Sequence, residues 1–385
     1  MTVVVSARGA ERWRAGHPWI YRSDVHAESK SGPGIVPVTD ARGKWLGQAL
    51  YSPKSEIRLR LLTREKGAIT PDWWRDRIAA ALARRAGIPA TAYRVVHAEA
   101  DGLPSLVVDR YGSHVVAQLL SAGLEAARDD LLAGLGAALS PAGILLRNDA
   151  PIRRHEGLPP EVVLAAGSVP EMVEVEEQGV KFLAAPWSGQ KTGAFLDQRD
   201  NRALVARSMK EGGTALDLFT YHGSFALHLA RRAARVTAVD QSADALARGA
   251  QNAALNELSN IAWREANAFD LLRELEHLDE TFDTVVLDPP AFAKTKASVP
   301  RALAGYKEIN LRAMRLLAPG GILFTCSCSF HVHRELFLAM LSDAARDSGR
   351  RLELLALTGA ASDHPEILNI PETGYLKGAL LRAAL

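Results

Sequence analysis

The stretch Ala215-Leu216-Asp217-Leu218-Phe219-Thr220-Tyr221-His222-Gly223-Ser224-Phe225 joins a short apolar run to a polar turn, and it decides the fold class. The apolar run predicts a buried strand, and the residues after the turn fit the start of a helix. Strand–helix alternation continues to about residue 327, which is the pattern of a doubly wound parallel sheet. We predict strands at 214–219, 235–240, 260–265, 283–288 and 320–327, and helices at 197–210, 222–232, 242–256 and 304–317.

The last two predicted strands, at about 352–358 and 375–383, have no helical pattern between them. The turn signals Asp363-His364-Pro365 and Pro371-Glu372-Thr373-Gly374 lie there instead. Parallel pairing needs a crossover connection, which is usually a helix. We therefore expect these two strands to form an antiparallel ribbon at the edge of the sheet.

The pattern of the chain changes twice before this alternation begins. Residues 1–70 alternate short apolar stretches with turns, which predicts a small, mostly β barrel, and Asp40-Ala41-Arg42-Gly43 fits a hairpin connection within it. Residues 71–185 mix helical and strand patterns, as expected of an α+β central domain, and residues 186–385 carry the doubly wound sheet. The three predicted domains agree with the two or three that 385 residues allow.

Positive charge is concentrated near the N-terminus, although the net charge of the chain is only +2. Residues 1–70 hold 12 Lys and Arg against 6 Asp and Glu. This imbalance suits contact with a nucleic-acid backbone, and a solvated basic surface explains it equally well. Arg8 and Arg22, near Trp19 and Tyr21, are candidate RNA contacts, because mixed charges and rings suit phosphate pairing and base stacking. Buried rings in a small barrel are the alternative for the two aromatics.

The bulk composition excludes some classes of protein. The chain is 48% hydrophobic and 23% charged, without an apolar run long enough to span a bilayer. Its first residues lack the layout of a signal peptide, so we expect a cytoplasmic protein. Its two cysteines, Cys326 and Cys328, are too close on a strand to pair easily, which agrees with a reducing compartment. The sequence leaves the oligomeric state open, with a homodimer as one option.

The turn after the first predicted strand indicates which cofactor the sheet binds. It lacks both the G-x-G-x-x-G fingerprint and the P-loop lysine, so a nucleoside without phosphates fits better, and S-adenosylmethionine is one. Asp217 suits its cationic amino acid end, and Asp240, 23 residues further on, suits the ribose hydroxyls. Asn267 and Ala268 follow the third strand and suit the adenine edge. From this turn and these strand ends we predict cofactor contacts at Asp217, Phe219, Tyr221, Gly223, Asp240, Asn267 and Ala268.

Sulfur and carboxylate are expected to meet at the same edge of the sheet. Cys326 and Cys328 end one predicted strand, and Asp288-Pro289-Pro290 ends another. A thiolate that adds to carbon 6 of a cytosine makes carbon 5 nucleophilic enough to take a methyl group. An acid at Asp288 suits hydrogen bonds to the ring nitrogen and amino group of that base. These residues favour methyl transfer to a pyrimidine carbon.

Five motifs along the chain are informative when they are taken together. They are Gly16-His17-Pro18-Trp19-Ile20-Tyr21, the run from Gly189 to Arg199, Leu287-Asp288-Pro289-Pro290-Ala291-Phe292, Ser327-Cys328-Ser329, and Asp363-His364-Pro365 with Tyr375-Leu376-Lys377. In these motifs the sequence resembles the bacterial 23S rRNA 5-methylcytosine methyltransferases, and the resemblance covers essentially its whole length. That family joins an N-terminal PUA domain, an α+β central domain and a class I methyltransferase domain, and acts on 23S ribosomal RNA.

The resemblance also implies roles for particular residues. The family's nucleophile lies in a Ser-Cys-Ser context, which matches Cys328, whereas Cys326 resembles the Thr-Cys-Ser of other RNA 5-methylcytosine enzymes. Those enzymes carry a second cysteine near Asp288 to aid product release, and this chain has none there. By the same resemblance Phe195, Gln198 and Arg199 contact cofactor or substrate. Lys191, Pro289, Pro290 and Phe292 are substrate-binding candidates.

Several other interpretations stay open at this point. Cys326, Cys328, His331 and His333 have the ligand types of a zinc site, although their spacing fits common sites poorly. Both cysteines also fit as small core residues. Asp288-Pro289-Pro290 suits an amino-group methyltransferase as well, except that Ala291 precedes the aromatic residue. A non-catalytic rRNA-binding assembly factor would keep the fold without the chemistry, and the absent glycine fingerprint disfavours a dehydrogenase.

Overall fold

A computed structural model of the chain describes residues 2–27 and 32–384. These residues form two compact units. The first contains the N-terminal residues to Val175 together with Ala184–Leu196 and Ser362–Thr373, and the second contains Glu176–Leu183, Asp197–Ala361 and the residues from Gly374 onward. No helix among the described residues is long and apolar enough to cross a membrane.

The first unit begins with a six-stranded sheet. Its elements are β1 (Val3–Val5), α1 (Ala7–Arg14), β2 (Trp19–Tyr21), β3 (Val25–Ala27), β4 (Gly34–Asp40), β5 (Trp45–Tyr51) and β6 (Ile57–Thr63), with strand order β2-β6-β5-β4-β1-β3. The predicted hairpin is confirmed, because β4 and β5 pair antiparallel and Asp40 Oδ1 accepts bonds from the backbone N–H groups of Arg42 and Lys44. Helix α1 is not anticipated by the sequence reasoning; Ser6 caps it by accepting from the N–H of Gly9.

A five-stranded sheet with helices follows in the same unit. Its elements are α2 (Pro71–Ala83), β7 (Ala92–His97), β8 (Leu106–Tyr111), β9 (His114–Leu119), α3 (Ala122–Glu125), α4 (Arg128–Leu139), β10 (Gly143–Asn148), α5 (Ile152–His155) and β11 (Glu161–Gly167), with strand order β11-β10-β9-β8-β7. Helix α2 starts where Thr70 caps the N–H of Trp73 and Pro71 stands in the first turn. Trp74 and Ile78 of α2 are fully buried in the core that Leu131 and Leu135 of α4 share. This arrangement matches the α+β class predicted for the middle of the chain.

Two further strands, β12 (Val173–Glu177) and β13 (Val180–Ala184), form a two-stranded sheet. The division into two units leaves the predicted domain boundaries at residues 70 and 185 untested, and they stay a prediction.

The second unit contains a seven-stranded sheet flanked by helices. Its elements are α6 (Arg199–Ser208), β14 (Thr214–Leu218), α7 (Ser224–Ala230), β15 (Arg235–Asp240), α8 (Ala243–Leu255), β16 (Ile261–Glu265), α9 (Ala268–His277), β17 (Phe282–Leu287), α10 (Val299–Arg315), β18 (Leu317–Ser327), α11 (Arg334–Ser348), β19 (Leu352–Thr358) and β20 (Lys377–Ala383). The strand order is β16-β15-β14-β17-β18-β20-β19. Strands β14 to β18 pair in parallel, and β20 pairs antiparallel with both β18 and β19. The doubly wound sheet with an antiparallel edge ribbon is confirmed.

Local signals explain where the helices of this unit differ from the prediction. Helix α9 starts because the Asn267 side chain caps the N–H groups of Phe269 and Asp270, a role that the sequence reasoning did not consider. Helix α10 begins at Val299, five residues before the predicted start, because Pro300 is well suited to a first helical turn. Tyr306 lies in the middle of this helix and is buried.

The strand order places the chemistry-bearing residues at one sheet edge. The chain runs from β14 outward to β16 in one direction and then from β17 to β18 in the other, so the winding reverses between β14 and β17. In open α/β sheets, ligands bind beyond the carboxyl ends of the strands at such a reversal. The register pairs Leu218 of β14 with Leu287 of β17, and Leu287 with Thr325 of β18. The next residues along the chain, Phe219, Asp288 and Cys326, therefore stand at the same level of three adjacent strands.

Candidate active site

Asp217 is the most deeply buried acid at this edge. It is fully buried near the end of β14, where its Oδ2 accepts bonds from the Thr220 hydroxyl and from the N–H of Ala226 at 2.9 Å. Its Oδ1 has no hydrogen-bond partner among the described residues. Burial raises the pKa of Asp217 to about 7, the Thr220 hydrogen bond opposes this, and the negative charge of Asp288 adds to it. A buried carboxylate oxygen without a partner fits a cationic ligand group.

The loop after β14 has an unusual backbone. Phe219, Tyr221 and Gly223 have φ values of 64°, 52° and 83°, in the left-handed region that costs energy for residues other than glycine. A Cβ atom at Gly223 would collide with the Trp263 ring, so glycine is required there for space as well. The loop is also tied to the next strand, because the N–H of Tyr221 donates to Asp240 Oδ2 at 2.8 Å. Backbone strain of this kind is typical of ligand-binding loops.

Asp240, the last residue of β15, and Asn267, which follows β16, lie at the same edge of the sheet. Asp240 Oδ1 accepts from the N–H of Ser242 at 3.0 Å, so backbone donors hold both carboxylate oxygens of Asp240. Asn267 uses its side-chain oxygen as the α9 cap, and Ala268 is buried as the first residue of that helix. Of the four predicted strand-end positions, Asp217 lies within β14 next to its last residue, Asp240 is the last residue of β15, and Asn267 and Ala268 follow β16.

Cys326 lies beneath Asp288 and has no exposed surface. Its Sγ is 2.9 Å from Asp288 Oδ1 and 3.2 Å from Gln198 Nε2. The same Gln198 nitrogen donates to Asp288 Oδ1 at 3.0 Å. Burial raises the pKa of the Cys326 thiol well above its ordinary value, and the neighbouring Asp288 charge raises it further. Cys326 is therefore a neutral thiol, which is a poor nucleophile.

Cys328 is half-buried and lies one residue beyond the end of β18. Its Sγ is 3.9 Å from the carbonyl oxygen of Pro289, which places the thiol beside the Asp288-Pro289-Pro290 turn. Pro289 is buried and Pro290 is exposed. The more accessible of the two sulfur atoms is thus the one that lies next to this turn.

The loop after β17 and the loop after β18 are held together by residues that the sequence did not single out. Fully buried Tyr306 of α10 has its hydroxyl 2.9 Å from Ser329 Oγ, and it accepts a bond from the N–H of Phe292 at 3.4 Å. Ser329 Oγ also accepts from the N–H of Ala293 at 3.1 Å. The Phe292 ring packs on the Tyr306 ring with centroids 4.5 Å apart. Ser329 stood in the quoted Ser-Cys-Ser run, whereas nothing local marked Tyr306.

We expect Tyr306→Phe to loosen the join between these two loops. The substitution keeps the ring and removes the hydroxyl, so Ser329 Oγ loses a partner in a buried setting. The free energy of unfolding should fall by about 1–2 kcal/mol, and kcat should fall more than KM rises. Urea unfolding and steady-state methylation rates measure the two effects. A stability loss with an unchanged kcat would mean that Tyr306 supports the fold alone.

The remaining predicted residues of the Gly189–Arg199 run fall in both units. Lys191 and Phe195 belong to the first unit, where the Lys191 ammonium lies 4.8 Å from the Phe195 ring centroid. Thr192 between them donates to Asp109 Oδ2 at 2.5 Å, which ties the run to β8. Arg199 belongs to the second unit, is 1% exposed and donates to Asp200.

The two arginines predicted as RNA contacts are exposed and lie near acids. Arg8 Nε donates to Asp24 Oδ1 at 2.7 Å, with 69% of the arginine side chain exposed. Arg22 lies 3.9 Å from Glu56, with 66% exposed. The Arg22–Glu56 pair is exposed on both sides, contributes little free energy and exchanges readily, so it does not prevent a phosphate contact. Asp24 is buried, so Arg8 is held more firmly in its ion pair. Among the described residues, no group of three or more His, Cys, Asp or Glu side chains is arranged to hold a metal ion.

Comparisons with known proteins agree with this geometry. Residues 3–64 match the PUA-like domain family, and residues 158–382 match the S-adenosylmethionine-dependent methyltransferase family. Two solved structures align with 99% of this chain and 100% of their own. One is a candidate SAM-dependent methyltransferase from Streptococcus mutans, with a TM-score of 0.83 and 19% identity. The other is a candidate methyltransferase complexed with SAH, with a TM-score of 0.85 and 20% identity. At these identities the likeness shows the fold.

The fold and the strand-end site define an S-adenosylmethionine-dependent methyltransferase with a PUA-like N-terminal domain. A curated relative, the ribosomal RNA large subunit methyltransferase I of Shewanella denitrificans, is 41% identical over 378 residues, which is 95% of each chain. The relative from Shewanella amazonensis is 42% identical over 377 residues, again 95% of each. The chain belongs to the ribosomal RNA large subunit methyltransferase I family.

Proposed function

We propose that this enzyme methylates carbon 5 of a cytosine in 23S ribosomal RNA, with Cys328 as the nucleophile. The observation that carries the proposal is the half-buried Cys328 thiol next to the Asp288-Pro289-Pro290 turn, on the sheet edge that also holds Asp217. The large-subunit RNA is the substrate stated in the names of the relatives. The carbon 5 chemistry follows from the thiol and from the sequence resemblance.

Burial and protonation favour Cys328 over Cys326 as the nucleophile. An attacking sulfur must reach the base and must ionise. Cys326 is fully buried and its pKa is raised, and a thiolate there would lie 2.9 Å from the Asp288 carboxylate. Cys328 is more accessible and lies beyond the strand end. It also stands in the Ser-Cys-Ser context of the family's nucleophile.

In the proposed reaction Cys328 forms a bond from its sulfur to carbon 6 of the cytosine. This addition raises the electron density at carbon 5, which then takes the methyl group. The Asp288 carboxylate accepts a hydrogen bond from the amino group, and from the ring nitrogen once that nitrogen has taken a proton from solvent in the adduct, and so stabilises the adduct. Solvent water takes the carbon 5 proton, and the electrons of that C–H bond re-form the double bond between carbons 5 and 6. The bond from carbon 6 to sulfur breaks at the same time, which releases the Cys328 thiolate and restores the aromatic ring. The extruded base is proposed to be supported by three residues that follow Asp288 in the chain: Pro289, Pro290 and Phe292.

The cofactor would be held by the acids at the ends of β14 and β15. Bound S-adenosylmethionine supplies an electrophilic methyl group on a sulfonium centre. Asp217, whose Oδ1 has no hydrogen-bond partner among the described residues, would hold the cationic amino acid end, and Asp240 would hold the ribose. Phe219, Tyr221 and Gly223 shape the loop between these acids, and Asn267 with Ala268 would border the adenine. Phe195, Gln198 and Arg199 stay predicted contacts from the resemblance.

The raised pKa of Asp217 predicts a pH dependence of cofactor binding. Below the pKa of about 7, the carboxyl group of the cofactor-free enzyme is largely protonated, so a cation must displace a proton in order to bind. Above that pH the carboxylate is already charged. We therefore expect the affinity for S-adenosylmethionine to rise about tenfold between pH 6 and pH 8. Calorimetric titration at several pH values measures this, and Asp217→Asn should show a flat profile.

The reaction itself is tested with the cofactor labelled in its methyl group and with unmodified 23S rRNA. After digestion to nucleosides, the label should be found in 5-methylcytidine. RNA that contains 5-fluorocytidine should also form a lasting covalent complex, because the fluorine cannot leave as the proton does. Label in an N-methylated nucleoside would favour the amino-group methyltransferase instead. Absence of S-adenosylmethionine binding would favour the assembly factor.

RNA binding by the N-terminal domain is a separate part of the proposal. The PUA-like domain at residues 3–64 is basic, and Arg8 and Arg22 expose most of their side chains. Phosphate contacts of this kind weaken as salt displaces them. Lys191 is proposed as an additional substrate contact, on the basis of the resemblance.

A further inference from the structure

The buried thiol of Cys326 forms no bond to the base in the proposed reaction, yet its sulfur contacts polar atoms of two other residues. Three elements meet at it: Cys326 is on β18, Asp288 follows β17, and Gln198 precedes α6. Asp288 Oδ1 lies 2.9 Å from the sulfur and 3.0 Å from the Gln198 nitrogen. The same nitrogen lies 3.2 Å from the sulfur, so each of the three atoms is within hydrogen-bond distance of the other two.

The directions of these hydrogen bonds follow from the groups next to them. Asn201 Nδ2 donates to the carbonyl oxygen of Gly359 at 3.0 Å and to Gln198 Oε1 at 2.6 Å. The Gln198 oxygen therefore faces Asn201, and its Nε2 faces Asp288 and Cys326. An ionised Asp288 can only accept hydrogen bonds. Because Cys326 is a neutral thiol, its S–H is the donor to Asp288 Oδ1.

We propose that Cys326 is a positioning residue whose neutral thiol, together with Gln198, holds the Asp288 carboxylate in the orientation that meets the cytosine. The inference rests on the proposed function, because it assigns to Cys326 a task in that reaction. Two donors from different elements converge on one carboxylate oxygen and restrict its rotation about the side-chain bonds. Cys326 itself does not touch the base.

The test compares Cys326→Ser with Cys326→Ala in the 23S rRNA methylation assay. Serine keeps a donor at this position, whereas alanine removes it. We expect Cys326→Ala to lower kcat about tenfold to a hundredfold, as the loss of a hydrogen bond to a charged group does. Cys326→Ser should recover most of that loss. KM for RNA and the dissociation constant for S-adenosylmethionine should change little in both variants.

A double-mutant cycle distinguishes positioning from a packing role. If Cys326 acts through Asp288, then Cys326→Ala should have almost no further effect in an Asp288→Asn background. Equal losses in Cys326→Ser and Cys326→Ala, or a full additional loss in the Asp288→Asn background, would overturn the proposal. An unchanged kcat in Cys326→Ala would also overturn it.

The proposed nucleophile is tested separately in the same experiment. The 5-fluorocytidine complex should form in Cys326→Ala and be absent in Cys328→Ala. A complex that needs Cys326 and forms without Cys328 would reject the positioning role, since Cys326 would then be the nucleophile. Methylation of carbon 5 that survives Cys328→Ala would reject the proposed function. The comparison of Cys326→Ser with Cys326→Ala would still show whether Cys326 orients the Asp288 carboxylate.

Discussion

Cys328→Ala is expected to abolish the formation of 5-methylcytidine, with kcat lowered by at least about 1,000-fold, because the other cysteine, Cys326, is fully buried and its raised pKa keeps the thiol neutral. Without that bond, carbon 5 of cytosine is too weak a nucleophile to accept the methyl group. The half-buried position of Cys328 means that alanine leaves only a small gap, so the fold and cofactor binding should persist. Nucleoside analysis of labelled 23S rRNA measures the loss directly.

The matched control for this experiment is Cys326→Ala, which removes an identical atom two residues away. It should retain measurable 5-methylcytidine formation, since it affects only the orientation of Asp288. Alkylation of the native protein with iodoacetamide should likewise label Cys328 and spare the buried Cys326. Normal turnover by the Cys328→Ala variant would contradict the thiolate mechanism and would favour methylation of the cytosine amino group.

Asp217→Ala is expected to weaken S-adenosylmethionine binding by at least about 100-fold, or roughly 3 kcal/mol. The buried carboxylate has one oxygen held by Thr220 and Ala226 and one without a partner, so its charge is available to a cationic ligand. Because Asp217 is fully buried, water weakens that attraction little. The measurement is calorimetric titration of the purified protein with the cofactor at pH 8.

Asp283→Asn serves as the matched control for the cofactor site. Asp283 is near the start of β17, at the opposite end of the strands, where it accepts from the N–H of Thr214 at 2.9 Å and pairs with Lys210 at 3.1 Å. Its loss should cost some stability and leave cofactor affinity unchanged. Equal weakening by both substitutions would mean that Asp217 acts through the stability of the sheet rather than through contact with the ligand.

Much of the fold was predictable because the relevant signals are local. Apolar runs, turn residues and their order along the chain indicate a doubly wound sheet, and parallel strands bring their carboxyl ends to one edge. This is why Asp217, Asp240 and Asp288 could be selected before their positions were known. Helices α1 and α9 were not predicted, although Ser6 and Asn267 cap them and the buried residues Ala268, Leu271, Leu272 and Leu275 of α9 have helical spacing.

The sequence by itself determined the class of the sheet, the strand ends that carry acids and the two candidate sulfur atoms. For the choice of nucleophile it favoured Cys328 over Cys326 only through the Ser-Cys-Ser resemblance, because residues two apart on a strand point to the same side and have similar neighbours along the chain. Only the tertiary structure shows that their surroundings differ: Gln198 and Asp288, distant in sequence, contact the Cys326 sulfur, whereas β18 ends before Cys328. This difference supports the proposal that Cys328 is the nucleophile. A contact between distant elements, such as that of Tyr306 with Ser329, has no signal in the neighbouring sequence. The packing of the helices on the sheet decides which polar groups meet.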